Sequence, residues 1–119
     1  MNDLNEKTYD ERPWGNYRVL HREDKMWVKR IEVKPNKRLS LQKHAYREER
    51  WVVTEGEGVV TRNEKSIQVH KGKSVEIACG DIHRIENTGN EALVFIEVAL
   101  GEKLSEEDII RIEDDFGRA

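Results

Sequence analysis

A chain of 119 residues is long enough for one hydrophobic core and too short for two. Charged residues make up 38% of it, yet the net charge is only −3, whereas a nucleic-acid-binding domain should be strongly basic. The single cysteine, Cys79, excludes an intrachain disulfide and fits a reducing, cytoplasmic compartment. No apolar run approaches the roughly 18 residues of a membrane span, and the acidic start "MNDLNEKTYDE" is no secretory signal.

In chain order, residues 1–11 read as a loose arm and residues 12–119 as a single domain. After "RPWG" come short segments rich in Val, Ile and Trp. They predict strands near 16–20, 26–34, 39–44, 49–54, 57–62, 66–70, 74–78, 82–87 and 92–99. Turn-forming stretches such as "KPNK", "TEGEG", "RNEK", "HKGK", "ACGD" and "NTGNE" separate most of them. This spacing is that of an all-β sandwich or barrel. The tail "LSEEDIIRIEDD" changes character. Ser105 offers an N-cap, acidic residues fill the first turn, and Ile109, Ile110 and Ile112 form an apolar stripe, which predicts a short helix over 105–114.

Side chains two apart in a strand share a face, so Gln42 and His44 point the same way. Glu49 follows across a bend, with Trp51 and Val53 on its own face. Downstream, His83 comes early in another strand, after a Gly-Asp turn. Two imidazoles and a carboxylate are good ligands for zinc, iron or manganese, and an amide oxygen is a weaker, harder donor. Taken singly, His44 and His83 read better as ordinary surface or hydrogen-bonded histidines near strand ends than as metal ligands.

The intervals carry more. Asn36, Gln42, His44, Glu49 and Gly56 keep the spacing G-x5-H-x-H-x4-E-x6-G, and Gly72, Ala78, Gly80, His83 and Asn87 keep G-x5-P-x-G-x2-H-x3-N. In both motifs the chain resembles the cupin superfamily. Asn36 stands for a turn glycine, Ala78 for a proline and Gln42 for the first histidine. The Gln substitution, with "RPWGNY", "VKRIEVKPNKRLSLQKH", "HRIEN" and "EVALGEKLSEEDIIRIEDDFGR", resembles the C-terminal isomerase domain of type II, bifunctional phosphomannose isomerases.

The resemblance implies a cupin double-stranded β-helix, a jelly-roll barrel, with the short C-terminal helix added. It implies one divalent metal, expected to be zinc, on Gln42, His44, Glu49 and His83. It implies interconversion of mannose 6-phosphate and fructose 6-phosphate through a cis-enediol, with the metal as Lewis acid, and a homodimer. The sugar-1-phosphate nucleotidyltransferase domain that usually accompanies such a domain is absent from this sequence, so a stand-alone isomerase is expected. Arg47 and Arg84 match common positions of the family motif and are the expected phosphate contacts. Ala45, Tyr46 and Arg50 stand where the family commonly has further histidines. Lys29, Lys43, His70 and Glu86 are all open as the base. Two other readings stand beside this one: a different metal-dependent cupin such as a non-haem iron oxygenase, and a non-catalytic sugar-phosphate-binding module.

Overall fold

The computed structural model describes residues 8–119. It contains eleven strands and no helix among those residues: β1 Tyr9–Arg12, β2 Gly15–Arg22, β3 Met26–Val33, β4 Leu41–Lys43, β5 Glu48–Glu55, β6 Glu57–Arg62, β7 Lys65–His70, β8 Ser74–Ile77, β9 His83–Asn87, β10 Leu93–Leu100 and β11 Ile110–Glu113. All nine predicted strands are present within a residue or two at most ends. The expected arm is strand in part. Tyr9–Arg12 pairs antiparallel with β2, and residues 1–7 lie outside the described region.

The strands form two antiparallel sheets, one in the order β1-β2-β3-β10-β5-β8 and the other β11-β4-β9-β6-β7. Alternation decides what lies between them. Ile31 and Val33 of β3, Trp51 and Val53 of β5 and Phe95 of β10 face Val60 of β6, Val69 of β7 and Ile85 of β9, all buried in one cluster. Each large apolar side chain so buried contributes about 1.5–3 kcal/mol. Trp51 lies against Phe95, ring centroids 4.8 Å apart, and so carries the core up to the floor of the site.

Turn chemistry follows the two motifs. Asn36 adopts φ 64°, the left-handed conformation its place in the first motif requires. Gly56 has φ 83°, and a Cβ there would lie 2.4 Å from the Ala92 carbonyl oxygen, so only glycine fits. At Ala78 the backbone N–H donates to the Asp81 carboxylate at 2.8 Å, a bond that the proline of the general motif could not make. Asn87 is fully buried. Its amide donates to the Val33 and Glu91 carbonyls and its oxygen accepts from the Gly89 N–H, which pins the loop after β9 to β3.

The expected helix over 105–114 is not formed. Ser105 does begin a turn: its hydroxyl accepts from the Glu107 N–H and its carbonyl from the Asp108 N–H. The chain then extends, and Ile110–Glu113 pairs with the open edge of β4. Two forces override the helical signal. β-branched isoleucines fit a pleated strand, and β4 offers unpaired backbone groups that a helix would leave bare.

Candidate metal centre

Gln42 and His83 lie directly opposite each other on β4 and β9, so their side chains share one face. His44 follows two residues after Gln42. Glu49 comes from β5 in the other sheet. One ligand atom each from His44, Glu49 and His83 lies within 4.8 Å of the others, and all three residues are buried. The imidazole rings of His44 and His83 are 5.0 Å apart.

Both imidazoles are held the same way. His44 Nδ1 donates to the Asp108 carbonyl at 2.6 Å, and His83 Nδ1 donates to the Asp81 carbonyl at 2.9 Å. With Nδ1–H spoken for, Nε2 of each ring is the bare nitrogen facing the centre. Burial pushes both imidazoles down from their ordinary pKa, His44 to about 4, so they are neutral at pH 7. Glu49 Oε1 accepts from Trp51 Nε1 at 2.8 Å and Oε2 from Arg47 Nε at 2.9 Å, with His44 Nε2 3.3 Å away. Burial acts to raise the Glu49 pKa. The Arg47 guanidinium, the neighbouring imidazoles and the Trp51 N–H outweigh it and hold the carboxyl at about 2. Two neutral imidazole nitrogens and one ionised carboxylate therefore converge in a buried site. This donor set fits a divalent cation.

Around the centre is a cavity of about 120 Å³. Gln42, His44, Arg47, Glu49 and His83 all line it, so the structure brings five of the six predicted site residues together. Arg84 is elsewhere. It follows His83 on β9 and so faces the other side of the sheet, where it donates to the Leu39 carbonyl and pairs with Glu113. Of the four candidate bases, only Lys29 reaches the cavity. Cys79 and Tyr46 are exposed, and Arg50 pairs with Glu48 on the outer face.

Two cavity residues, Glu97 and Arg111, are absent from the expected site, and Lys29, expected only as one of four candidate bases, is a third charged group in the same wall. Glu97 occupies an inward position of β10, between Phe95 and Ala99, where alternation calls for an apolar side chain. Burial and the nearby Glu49 charge raise its pKa to about 8, so it is protonated at pH 7 and shares a hydrogen bond with Glu49. Lys29 is the matching intrusion on β3. It is buried beneath Tyr17 and Trp27 and bound to Glu106 at 2.7 Å. Arg111 of β11 stands opposite Gln42. Burial, with Arg118 and Arg12 nearby, lowers its pKa.

The Glu97 proton has a measurable consequence. The folded metal-free protein holds it up to about pH 8, while the unfolded chain releases it near 4.5. Its contribution to stability is therefore fully present below pH 4.5 and is lost as pH rises through about 8. Glu97→Gln imitates the protonated acid and should leave stability at pH 6 within about 1 kcal/mol of wild type. Melting curves from pH 5 to 9 on chelator-treated protein should show the wild type falling away from the variant on the alkaline side. Parallel curves would mean that Glu97 is ionised in the fold.

Two facing antiparallel sheets with a buried His-Glu-His cluster between them define a cupin. The fold is shared with a Klebsiella pneumoniae protein bearing a double-stranded β-helix domain (TM-score 0.71, 17% identity, 82% of this chain and 83% of that one). The chain belongs to the family described as mannose-6-phosphate isomerase C-terminal, whose model matches residues 2–114. It is 44% identical over 107 residues to the xanthan biosynthesis protein XanB of Xanthomonas campestris pv. campestris, covering 90% of this chain and 23% of that protein. It is 42% identical over 107 residues to the mannose-1-phosphate guanylyltransferase ManC of Salmonella typhimurium, covering 90% and 22%. The chain thus spans less than a quarter of the length of these curated relatives.

These names correct the expected function. The relatives are named for polysaccharide biosynthesis and guanylyl transfer, and what this chain shares with them is their isomerase-like cupin portion. Interconversion of mannose 6-phosphate and fructose 6-phosphate is accordingly not assigned to it. No helix among the described residues is long and apolar enough to cross a membrane.

Proposed function

We propose that this domain is a metal-dependent cupin that binds and acts on a phosphorylated sugar. One observation carries the reading: His44, Glu49 and His83 converge in a buried cavity, with both Nδ1 atoms tied to backbone carbonyls. Gln42, in register with His83, is proposed as an additional oxygen donor. Zinc is the ion proposed, because two imidazoles and one carboxylate form one of its usual three-ligand sets with a position left open. When bound, such an ion polarises sugar oxygens as a Lewis acid. The chain's own residues do the rest. Arg47 and Trp51 keep Glu49 ionised and fix its orientation. Glu97 sits protonated beside it, and Lys29 supplies a buried cation in the same wall. The family description and the guanylyltransferase name of a relative both refer to phosphorylated mannose compounds, and this supports the proposed substrate class.

The test is calorimetric titration of the purified chain with a hexose 6-phosphate, before and after chelation, alongside elemental analysis. Near-stoichiometric metal and binding that vanishes with the metal are expected. A chain that binds the sugar phosphate equally well without metal would overturn the reading.

A further inference from the structure

The cavity that holds His44, Glu49 and His83 measures about 120 Å³. Pockets that take small molecules usually measure about 300–1,000 Å³, so a sugar phosphate does not fit this one as it stands. A second hollow of about 460 Å³ lies against it, lined by Asp10, Arg12, Tyr17, Arg22 and residues 104–107. Arg12, Tyr17 and Glu106 line both. Of these three, Glu106 alone lies outside the strands, so the stretch around it partitions the two spaces.

That stretch runs between two fixed posts. Gly101 is the first: its N–H donates to the Lys25 carbonyl at 3.2 Å, and a Cβ there would lie 2.3 Å from the Tyr46 carbonyl oxygen. Asp108 is the second, with its carbonyl on His44 and its carboxylate on the Ala45 and Tyr46 N–H groups. Residues 102–107 between them belong to no strand, and among the described residues their backbone groups make no hydrogen bond to the backbone of any strand. All but Leu104 are exposed. A segment that buries so little apolar surface opens at low free-energy cost.

Two contacts hold its middle over the cavity. Lys29 Nζ donates to both carboxylate oxygens of Glu106, at 2.7 and 3.0 Å, and Arg47 Nη1 donates to the Ser105 carbonyl at 3.2 Å. The Lys25–Glu102 pair and Lys103 over the Tyr46 ring lie at the surface, near the first post. Lys29 is anchored in β3 with its side chain buried, whereas Glu106 is exposed on the stretch itself. A buried ammonium needs a counter-charge, and this pair therefore draws the stretch inward.

We propose that residues 102–107 form a strap that swings outward between Gly101 and Asp108, joins the two hollows and admits ligand to the metal centre, with the Lys29–Glu106 ion pair as its latch. What enters rests on the proposed function; the route rests on the partition and its contacts. Closed, the strap leaves a small, dry cavity around His44, Glu49 and His83. Open, it gives that cavity the volume of the neighbouring hollow and leaves Lys29 free to meet an anionic ligand in place of Glu106.

The test is stopped-flow mixing of cobalt-loaded full chain with two probes, dipicolinate and a hexose 6-phosphate, followed by cobalt absorption. It compares wild type, Glu106→Gln, Glu106→Lys and, as control, Glu102→Gln, whose ion pair lies outside the partition. Association of both probes should quicken roughly fivefold in Glu106→Gln, the scale of one ion pair, and more in Glu106→Lys, where like charges repel. Glu102→Gln should match wild type, and the resting cobalt spectrum should be the same in all four. Equal rates in all four proteins would overturn the strap, as would a changed resting spectrum in both Glu106 variants, which would place the effect at the centre itself. If dipicolinate enters faster in the latch variants and the hexose phosphate binds none of the proteins, the strap stands and the sugar-phosphate reading falls. If the hexose phosphate binds all four at one rate, the strap is overturned and the sugar-phosphate reading stands. Failure of both probes to reach cobalt in any of the proteins overturns the strap as well.

Discussion

Replacing His83 by alanine should reduce metal retained after desalting from about one equivalent to less than about a tenth, with affinity lowered 100-fold or more. His44→Ala should do the same. Each imidazole supplies one of three close donors, and no other His, Cys, Asp or Glu among the described residues joins the cluster. Asp108→Ala tests the support behind His44. It removes a carboxylate that accepts from the Ala45 and Tyr46 N–H groups, while the carbonyl that binds Nδ1 remains but loses its anchorage. Losses at such outer partners run about 10–100-fold in metal affinity, so Asp108→Ala should fall between wild type and His44→Ala. Cobalt titration followed by absorbance separates the three. A His83→Ala protein that still binds one cobalt with wild-type affinity and spectrum would sink the ligand assignment.

The second large effect concerns stability rather than binding. Arg47 and Glu49 form a buried ion pair, 2.9 Å from Nε to Oε2, in which both side chains are almost wholly removed from water. Removing one partner strands the other's charge, at a cost of about 3–5 kcal/mol. Arg47→Met in the metal-free protein should therefore lower the melting temperature by roughly 10–20 °C. The double variant Arg47→Met/Glu49→Gln should recover much of that loss, because no charge is then left without compensation. Acid makes the same point. The Glu49 carboxyl lies at about 2 in the fold against an ordinary 4.5. Its stabilisation is present above about pH 4.5 and is lost as pH falls through 2. In Arg47→Met that loss should begin at a higher pH. Divalent metal should rescue Arg47→Met more than wild type, since the cation replaces the missing positive charge. Additive losses in the double variant would show that the pair is not coupled.

Much of the site was legible because strand alternation and motif spacing are local. Gln42 and His44 share a face by parity alone, and His83 follows a turn that Gly80 and Asp81 build. Glu97 was legible in principle, as a lone carboxylate on the apolar face of "LVFIEVAL". Its proton was not, because that depends on Glu49 arriving from another strand. Arg84 misled for the same reason that His83 did not. Adjacent strand residues face opposite ways, and motif matching ignores parity. The tail misled more deeply. Ser105 and the acidic residues after it make a real helix-start signal, and the isoleucines suit either a helical stripe or a strand. What decided the matter was the unpaired edge of β4, more than sixty residues earlier in the chain. β1 has no apolar alternation at all and is held by backbone pairing to β2.

The bond from His44 to the Asp108 carbonyl spans 64 positions of sequence. One of the two imidazoles is therefore oriented only while the segment around Asp108 is docked. Occupancy of the centre and docking of that segment are thermodynamically linked: whatever free energy the docked segment adds to ion binding, a bound ion returns to docking. Amide hydrogens of β11 should then exchange more slowly in the loaded protein than in the stripped one, although no ligand atom comes from β11 itself. The wall strand would thus report occupancy, tightening when the centre is filled and loosening when it is emptied.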